Sequence, residues 1–208
     1  MTDRPMIFSA PMIRALLAGT KTQTRRILKP QPYTVDGAVF TWENAKSAFL
    51  CGPQSVAENL LIHGACKFAL GDRIWVREGF GWLSGNGYRY RADGEKLDDL
   101  ALGSLTWRSP IFMPRAASRL TLTVTDVRVQ RLRELSDADA VAEGMGWHNG
   151  GGIGHSGWRH DVNYGYVAPT ARLAYAALWD IIHGPGAWAA NPWVAALTFT
   201  VRKGNIDG

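Results

Sequence analysis

The chain has little cysteine and no long apolar run. Its two cysteines, Cys51 and Cys66, stand too far apart for a close-spaced metal or redox motif. They are read as packed thiols and not as a disulfide. No stretch of about 18 apolar residues occurs, so no spanning helix and no membrane partner are expected. The opening residues, Met1-Thr2-Asp3-Arg4-Pro5, lack the charged-then-apolar pattern of a secretory leader, so a cytoplasmic location is expected. There is no internal repeat and no low-complexity tract, which sets aside solenoids and disordered arrays.

What is present suits a folded core. The 208 residues are 46% hydrophobic and 20% charged. The expectation is one domain spanning 1–208, with insertions at about 31–68 and 145–168. A net charge of +5 and a pI near 9.4 lean toward anionic partners. The nine tryptophans are the stronger compositional signal. Trp82, Trp107, Trp147 and Trp158 adjoin basic or glycine residues, and Trp188 lies two residues after Gly186; there an aromatic face can stack a nucleobase. The alternative is that they fill the core.

Local signals place the elements. Ser9 caps a first helix, Pro11 suits its first turn and Gly19 stops it. Gly71-Asp72 turns into a strand over 73–78. Ile74, Val76 and Glu78 share one face of it by the two-residue period. A carboxylate continuing an apolar row needs a partner, with Arg77, Arg89 or Arg115 as the arginines in view. Trp75 on this strand, with Glu78, is assigned to substrate binding. A second strand is expected at Tyr88–Arg91. Residues 118–132 give the longest β signal, and its apolar phase slips near Thr125-Asp126. Ser136 and Asp139 frame a capping-box start for a short helix that Gly144 ends. The glycine-rich stretch 145–168 reads as a mobile loop. Its His148, His155 and His160 do not form a metal set, and neither metal nor cofactor is expected. Thr170 caps a helix to His183, with Tyr175, Leu178, Trp179 and Ile182 on its apolar face. Trp193 to Val201 alternates as a closing strand. Helices among strands, without a repeating βαβ unit, indicate an α+β barrel.

The densest chemistry lies at Gly19-Thr20-Lys21-Thr22-Gln23-Thr24-Arg25-Arg26. Directly after a helix, this segment offers an amine, hydroxyls and two guanidinium groups. It can hold an anion or an acyl oxygen, or supply a nucleophile and its base. The helix, this motif, the Gly-Asp-x-x-x-Val strand, the capped short helix and the terminal strand together resemble the ASCH superfamily. That resemblance implies a PUA-like β-barrel with flanking helices, and the chain looks most like the larger ASCH-like proteins of bacteriophages and prophages. One branch of the superfamily consists of amidohydrolases that remove the acetyl group from N(4)-acetylcytidine. Carried over to this chain, its active site implies Lys21, Thr24 and Glu143 as catalytic residues. Arg25 and Arg26 would be substrate contacts, although Arg25 stands where the branch has an apolar residue. The implied partner is a modified cytosine nucleoside or base.

The chemistry is consistent with amide hydrolysis. Thr24 can attack if a neutral Lys21 takes its proton, or Glu143 can activate water while Lys21 holds the oxyanion. Two other readings use the same residue types. One is a non-catalytic reader of RNA or modified DNA, and the other is a ribonuclease.

Overall fold

A helix does open at Ser9 with Pro11 in its first turn, and Gly19 closes it, but the Ser9 side chain makes no capping hydrogen bond. In a computed structural model of the chain, α1 runs Ala10–Leu17 with Ser9 at the N-cap and Gly19 at φ +74°. Glycine takes that left-handed backbone without steric cost. Beyond the helix the Ala15 carbonyl accepts from the backbone N–H groups of Thr20 (3.0 Å) and Lys21 (3.2 Å). The hydroxyl of Thr20 also donates to it, at 3.2 Å. The end of α1 thereby fixes the backbone of Lys21.

The structure describes residues 2–29, 31–35, 39–41, 49–50, 66–83, 87–94, 105–150, 155–160 and 167–208. Cys51, most of the 31–68 insertion, and Gly151, Gly152 and Gly154 lie outside them. In chain order the strands are β1 (Asp3–Ile7), β2 (Gln23–Ile27), β3 (Tyr33–Val35), β4 (Val39–Thr41), β5 (Phe49–Leu50), β6 (Arg73–Arg77), β7 (Phe80–Leu83), β8 (Gly87–Tyr90), β9 (Leu120–Arg131), β10 (Gly146–His148), β11 (Gly157–Arg159) and β12 (Trp193–Lys203). After α1 come helices α2 (Asp137–Ala142) and α3 (Ala171–His183). The fold is α+β, built on a five-stranded mixed sheet in the order β1-β6-β9-β12-β2. The expected closed barrel is not formed. The order begins at β1 and ends at β2 without closing among the described residues. Among those residues, no helix is long and apolar enough to cross a membrane.

The chain divides into two compact units, and β9 and β12 each contribute to both. The first comprises Met1–Thr22, Gly71–Thr125 and Phe199–Gly208. Here β1 runs parallel to β6, and β6 pairs antiparallel with β9, with Trp75 opposite Thr121. Ile74, Val76, Leu120, Leu122 and Val124 are buried, as their two-residue period requires. Past Val124 the phase slips as expected. Thr125 and Asp126 are both exposed, and Val129 is buried again in the second unit. The β7–β8 hairpin sets Phe80 beside Tyr88 and Tyr90, packed on Met113 and Ala117.

The second unit comprises Gln23–Leu70 and Asp126–Thr198. β2 pairs antiparallel with β12, with Thr24 opposite Leu197, while β3, β4 and β5 form a separate antiparallel sheet. The hydroxyl of Thr170 accepts from the Leu173 N–H at 3.2 Å and starts α3. Ala171, Ala174, Tyr175, Leu178 and Trp179 then face a core with Leu132, Leu135, Ala140 and Met145. Each large side chain buried there contributes about 1.5–3 kcal/mol. Two sequence expectations change. Ile182 is 50% exposed, because the buried stripe follows Tyr175, Leu178 and Trp179 and leaves the last turn uncovered. The 145–168 segment contains regular structure: β10 and β11 pair antiparallel, with Trp147 opposite Trp158.

Candidate functional site

The first three residues of β2, Gln23, Thr24 and Arg25, are all buried. Burying consecutive polar side chains is costly unless partners meet them. In a pleated strand Gln23 and Arg25 share one face, while Thr24 and Arg26 share the other. Arg25 Nη1 donates to Gln23 Oε1 at 2.6 Å and to Glu143 Oε1 at 3.2 Å. Its Nη2 lies 3.1 Å from Asp139 Oδ2. The Tyr175 hydroxyl donates to Glu143 Oε1 at 3.2 Å. Gln23 in turn reaches β12, with Nε2 donating to Thr198 Oγ1 at 3.3 Å.

The second-unit cluster depends on how α2 is capped. Ser136 accepts from the Asp139 N–H at 3.1 Å, and Asp139 Oδ2 accepts from the Ser136 N–H at 3.3 Å. The capping box therefore closes with aspartate in place of glutamate. Asp139 Oδ1 also accepts from Arg128 at 3.0 Å. Glu143 follows as the C-cap, and Gly144 at φ +102° turns the chain away. One short helix thus presents Asp139 and Glu143, four residues apart, to a single guanidinium group.

The electrostatics follow from burial. Burial, with the Glu143 carboxylate beside it, holds the Tyr175 phenol well above its ordinary value, so it remains a donor. Burial pushes Arg26 below its ordinary value, against the opposing pull of Glu143 and Tyr175. Burial would raise Asp139, but Arg128, Arg25 and the Ser136 backbone hold it below the usual carboxylate range. Glu143 therefore bonds Arg25 directly and also lies within the field of Arg26, and Thr24 immediately precedes these two arginines in the strand. A buried carboxylate flanked by guanidinium groups and a phenol can hold or move a proton and can help seat an anion.

The remaining sequence-derived site residues belong to the first unit. Lys21 is fully buried just after α1. Trp75 is buried in β6, with the Arg77 guanidinium 4.8 Å from its ring centroid. Glu78 is buried and has an arginine partner, but not one of the three expected. Arg119 Nε and Nη2 donate to its two oxygens at 2.9 and 3.0 Å. Arg77 instead donates to the Met113 carbonyl, Arg115 to Asp3 and Asp207, and Arg89 Nη1 to the Tyr88 carbonyl. Burial pushes the Glu78 carboxyl up, and the bonds from Arg119 pull against it.

Sequence reasoning missed four participants: Gln23, Arg128, Asp139 as an ion-pair partner, and Tyr175 as a donor. Tyr175 had one legible signal. A tyrosine on the buried stripe of a helix must place its hydroxyl on a partner. No family model matches the chain, and no curated protein or solved structure matches it.

Proposed function

We propose that the protein is an amidohydrolase that removes acyl groups from N(4)-acylated cytosine nucleosides or bases. The observation that carries this reading is Glu143, a carboxylate 3% exposed at the end of α2, held by Arg25 and Tyr175 beside the strand that bears Thr24. The same proposal assigns the chain to the PUA-like ASCH domains, on the order of helix, motif, strand and capped short helix.

Hydrolysis of the amide needs a nucleophile, an oxyanion donor and a proton for the departing amine. In the water route Glu143 accepts a proton as hydroxide adds to the acyl carbon, and Lys21 is the oxyanion donor that the reading requires. The C–N bond then breaks as Glu143 returns the proton to the cytosine amine. In the threonine route Thr24 adds first, a neutral Lys21 takes its proton, and that proton passes to the cytosine amine as the C–N bond breaks. Water then releases the acyl group from the threonine.

Incubation with N(4)-acetylcytidine, followed by ultraviolet absorbance and chromatography, tests the reading. Lys21→Ala abolishes turnover in both routes. Thr24→Ala abolishes it only in the threonine route and leaves residual rate in the other. Glu143→Gln costs at least about 10²-fold in kcat. Circular dichroism separates a dead enzyme from an unfolded one. Full activity in Lys21→Ala refutes the assignment.

A second reading, a nucleic-acid reader, is favoured by Trp82 and Trp147, which are 57% and 53% exposed. Its signature is binding to RNA or DNA that weakens steeply with salt, because phosphate contacts release counterions.

A further inference from the structure

Past β2 the chain continues through Leu28 and Lys29, and Cys66–Phe68 lies beside this stretch across an open cavity of about 180 Å³. The lining includes the basic residues Arg26, Lys29 and Lys67, the aromatic Phe68, and the apolar Leu28 and Ala195. Among the described residues, no carboxylate lines it. Three cations around one hollow repel each other and focus a positive potential into it. The field reaches His183 on α3. Burial first, then Arg26 and Lys29, push its imidazole below the ordinary value. Lys29 and Lys67 are exposed, while Phe68 is half-buried.

This wall pairs two recognition chemistries. Guanidinium and ammonium groups bind phosphate oxygens through charge-assisted hydrogen bonds. An aromatic face takes the flat side of a nucleobase. The volume is below the roughly 300–1,000 Å³ of pockets that enclose a whole drug-sized ligand, which argues for one nucleotide unit and against a dinucleotide cofactor.

We propose that this cavity binds a nucleotide phosphate, with the phosphate on Arg26, Lys29 and Lys67 and the base against Phe68. The phosphate belongs to a free mononucleotide or to a polynucleotide terminus. The site goes beyond the proposed hydrolysis and does not depend on it.

Isothermal titration calorimetry at low salt tests the site with four probes: cytidine 5′-monophosphate, cytidine, inorganic phosphate and a 5′-phosphorylated tricytidylate RNA. Cytidine 5′-monophosphate is expected to bind at least about tenfold tighter than cytidine or phosphate alone, and to weaken as salt screens the cations. Lys29→Gln and Lys67→Gln, both at exposed positions, should each weaken it by about tenfold. Phe68→Ala should weaken the nucleotide and spare inorganic phosphate. Tighter binding of the trinucleotide assigns the phosphate to a chain end, and equal or weaker binding assigns it to the free nucleotide. Equal affinity for cytidine and its monophosphate overturns the proposal. So does wild-type affinity in the Lys29→Gln/Lys67→Gln double variant, or phosphate binding as tightly as the nucleotide. Nucleotide binding without acetylcytidine turnover removes only the hydrolase reading, and turnover without nucleotide binding removes only this one.

Discussion

Arg25→Met keeps most of the side-chain volume and removes the charge from the centre of the second unit. Arg25 is fully buried and sits 3.2 Å from Glu143 and 3.1 Å from Asp139. At an effective dielectric of about 20, a unit pair at that separation attracts by about 5 kcal/mol. The cost of desolvating both ions offsets most of this, so the net worth of the intact pair is small. Removing one member alone is different, because the Glu143 carboxylate stays buried after the guanidinium that bonds it has gone, while Asp139 keeps Arg128. The expected loss is about 3–5 kcal/mol, a large share of the roughly 5–15 kcal/mol that holds a typical domain together. Gln23 also loses the donor at 2.6 Å.

Urea denaturation followed by both tryptophan fluorescence and far-ultraviolet circular dichroism measures the loss. Agreement of the two probes is the needed check in a chain with two compact units. The midpoint should fall with an unchanged m value. The decisive measurement is the cycle with Glu143→Gln. A neutral amide no longer needs the cation, so Arg25→Met should cost at least about 1 kcal/mol less in that background. Additivity within about 0.5 kcal/mol would refute the claim that Arg25 and Glu143 act as a coupled pair.

Other parts of the structure make further predictions. Ser136→Ala removes the acceptor of the Asp139 N–H and should cost about 1 kcal/mol in urea denaturation. Glu78 protonates above its unfolded value, so the folded state binds the extra proton and its contribution to stability falls as pH rises past about 4.3. Denaturation from pH 4 to 7 should therefore show the stability of wild type relative to Glu78→Gln declining with pH, and a rise would contradict the burial argument. His183 titrates below its ordinary value, so its contribution to stability weakens as pH falls below about 6.5. Lys29→Gln should raise its midpoint in an NMR titration.

Much of the local structure was legible because its causes are local. Ser9, Pro11 and Gly19 bracket α1, Ser136 and Gly144 bracket α2, and Thr170 and Gly184 bracket α3. A cap acts on backbone groups within one turn, so its residues stand close together in sequence. The phase slip in β9 was legible for the same reason, since pleat alternation is a property of one strand. Sheet closure is not local. Whether β1 and β2 meet depends on the tilt and stagger of every strand between them, and no short segment encodes that.

Glu78 shows where the boundary falls. Its place in the row of Ile74 and Val76 was enough to require an arginine or hydroxyl partner, and the half-buried Arg119 is that partner. The candidates Arg77 and Arg89 were near in sequence, but choosing among arginines requires the register of β6 on β9. With Trp75 opposite Thr121 in an antiparallel pair, the residues after β6 meet those just before β9. That register carries Arg119 to Glu78 and leaves Arg77 over Trp75. The same limit governs Glu143, whose partners Arg25 and Tyr175 stand 118 and 32 residues away. A buried charge reveals in the sequence that it must be met. Which group meets it is decided by pairing that only the folded chain establishes.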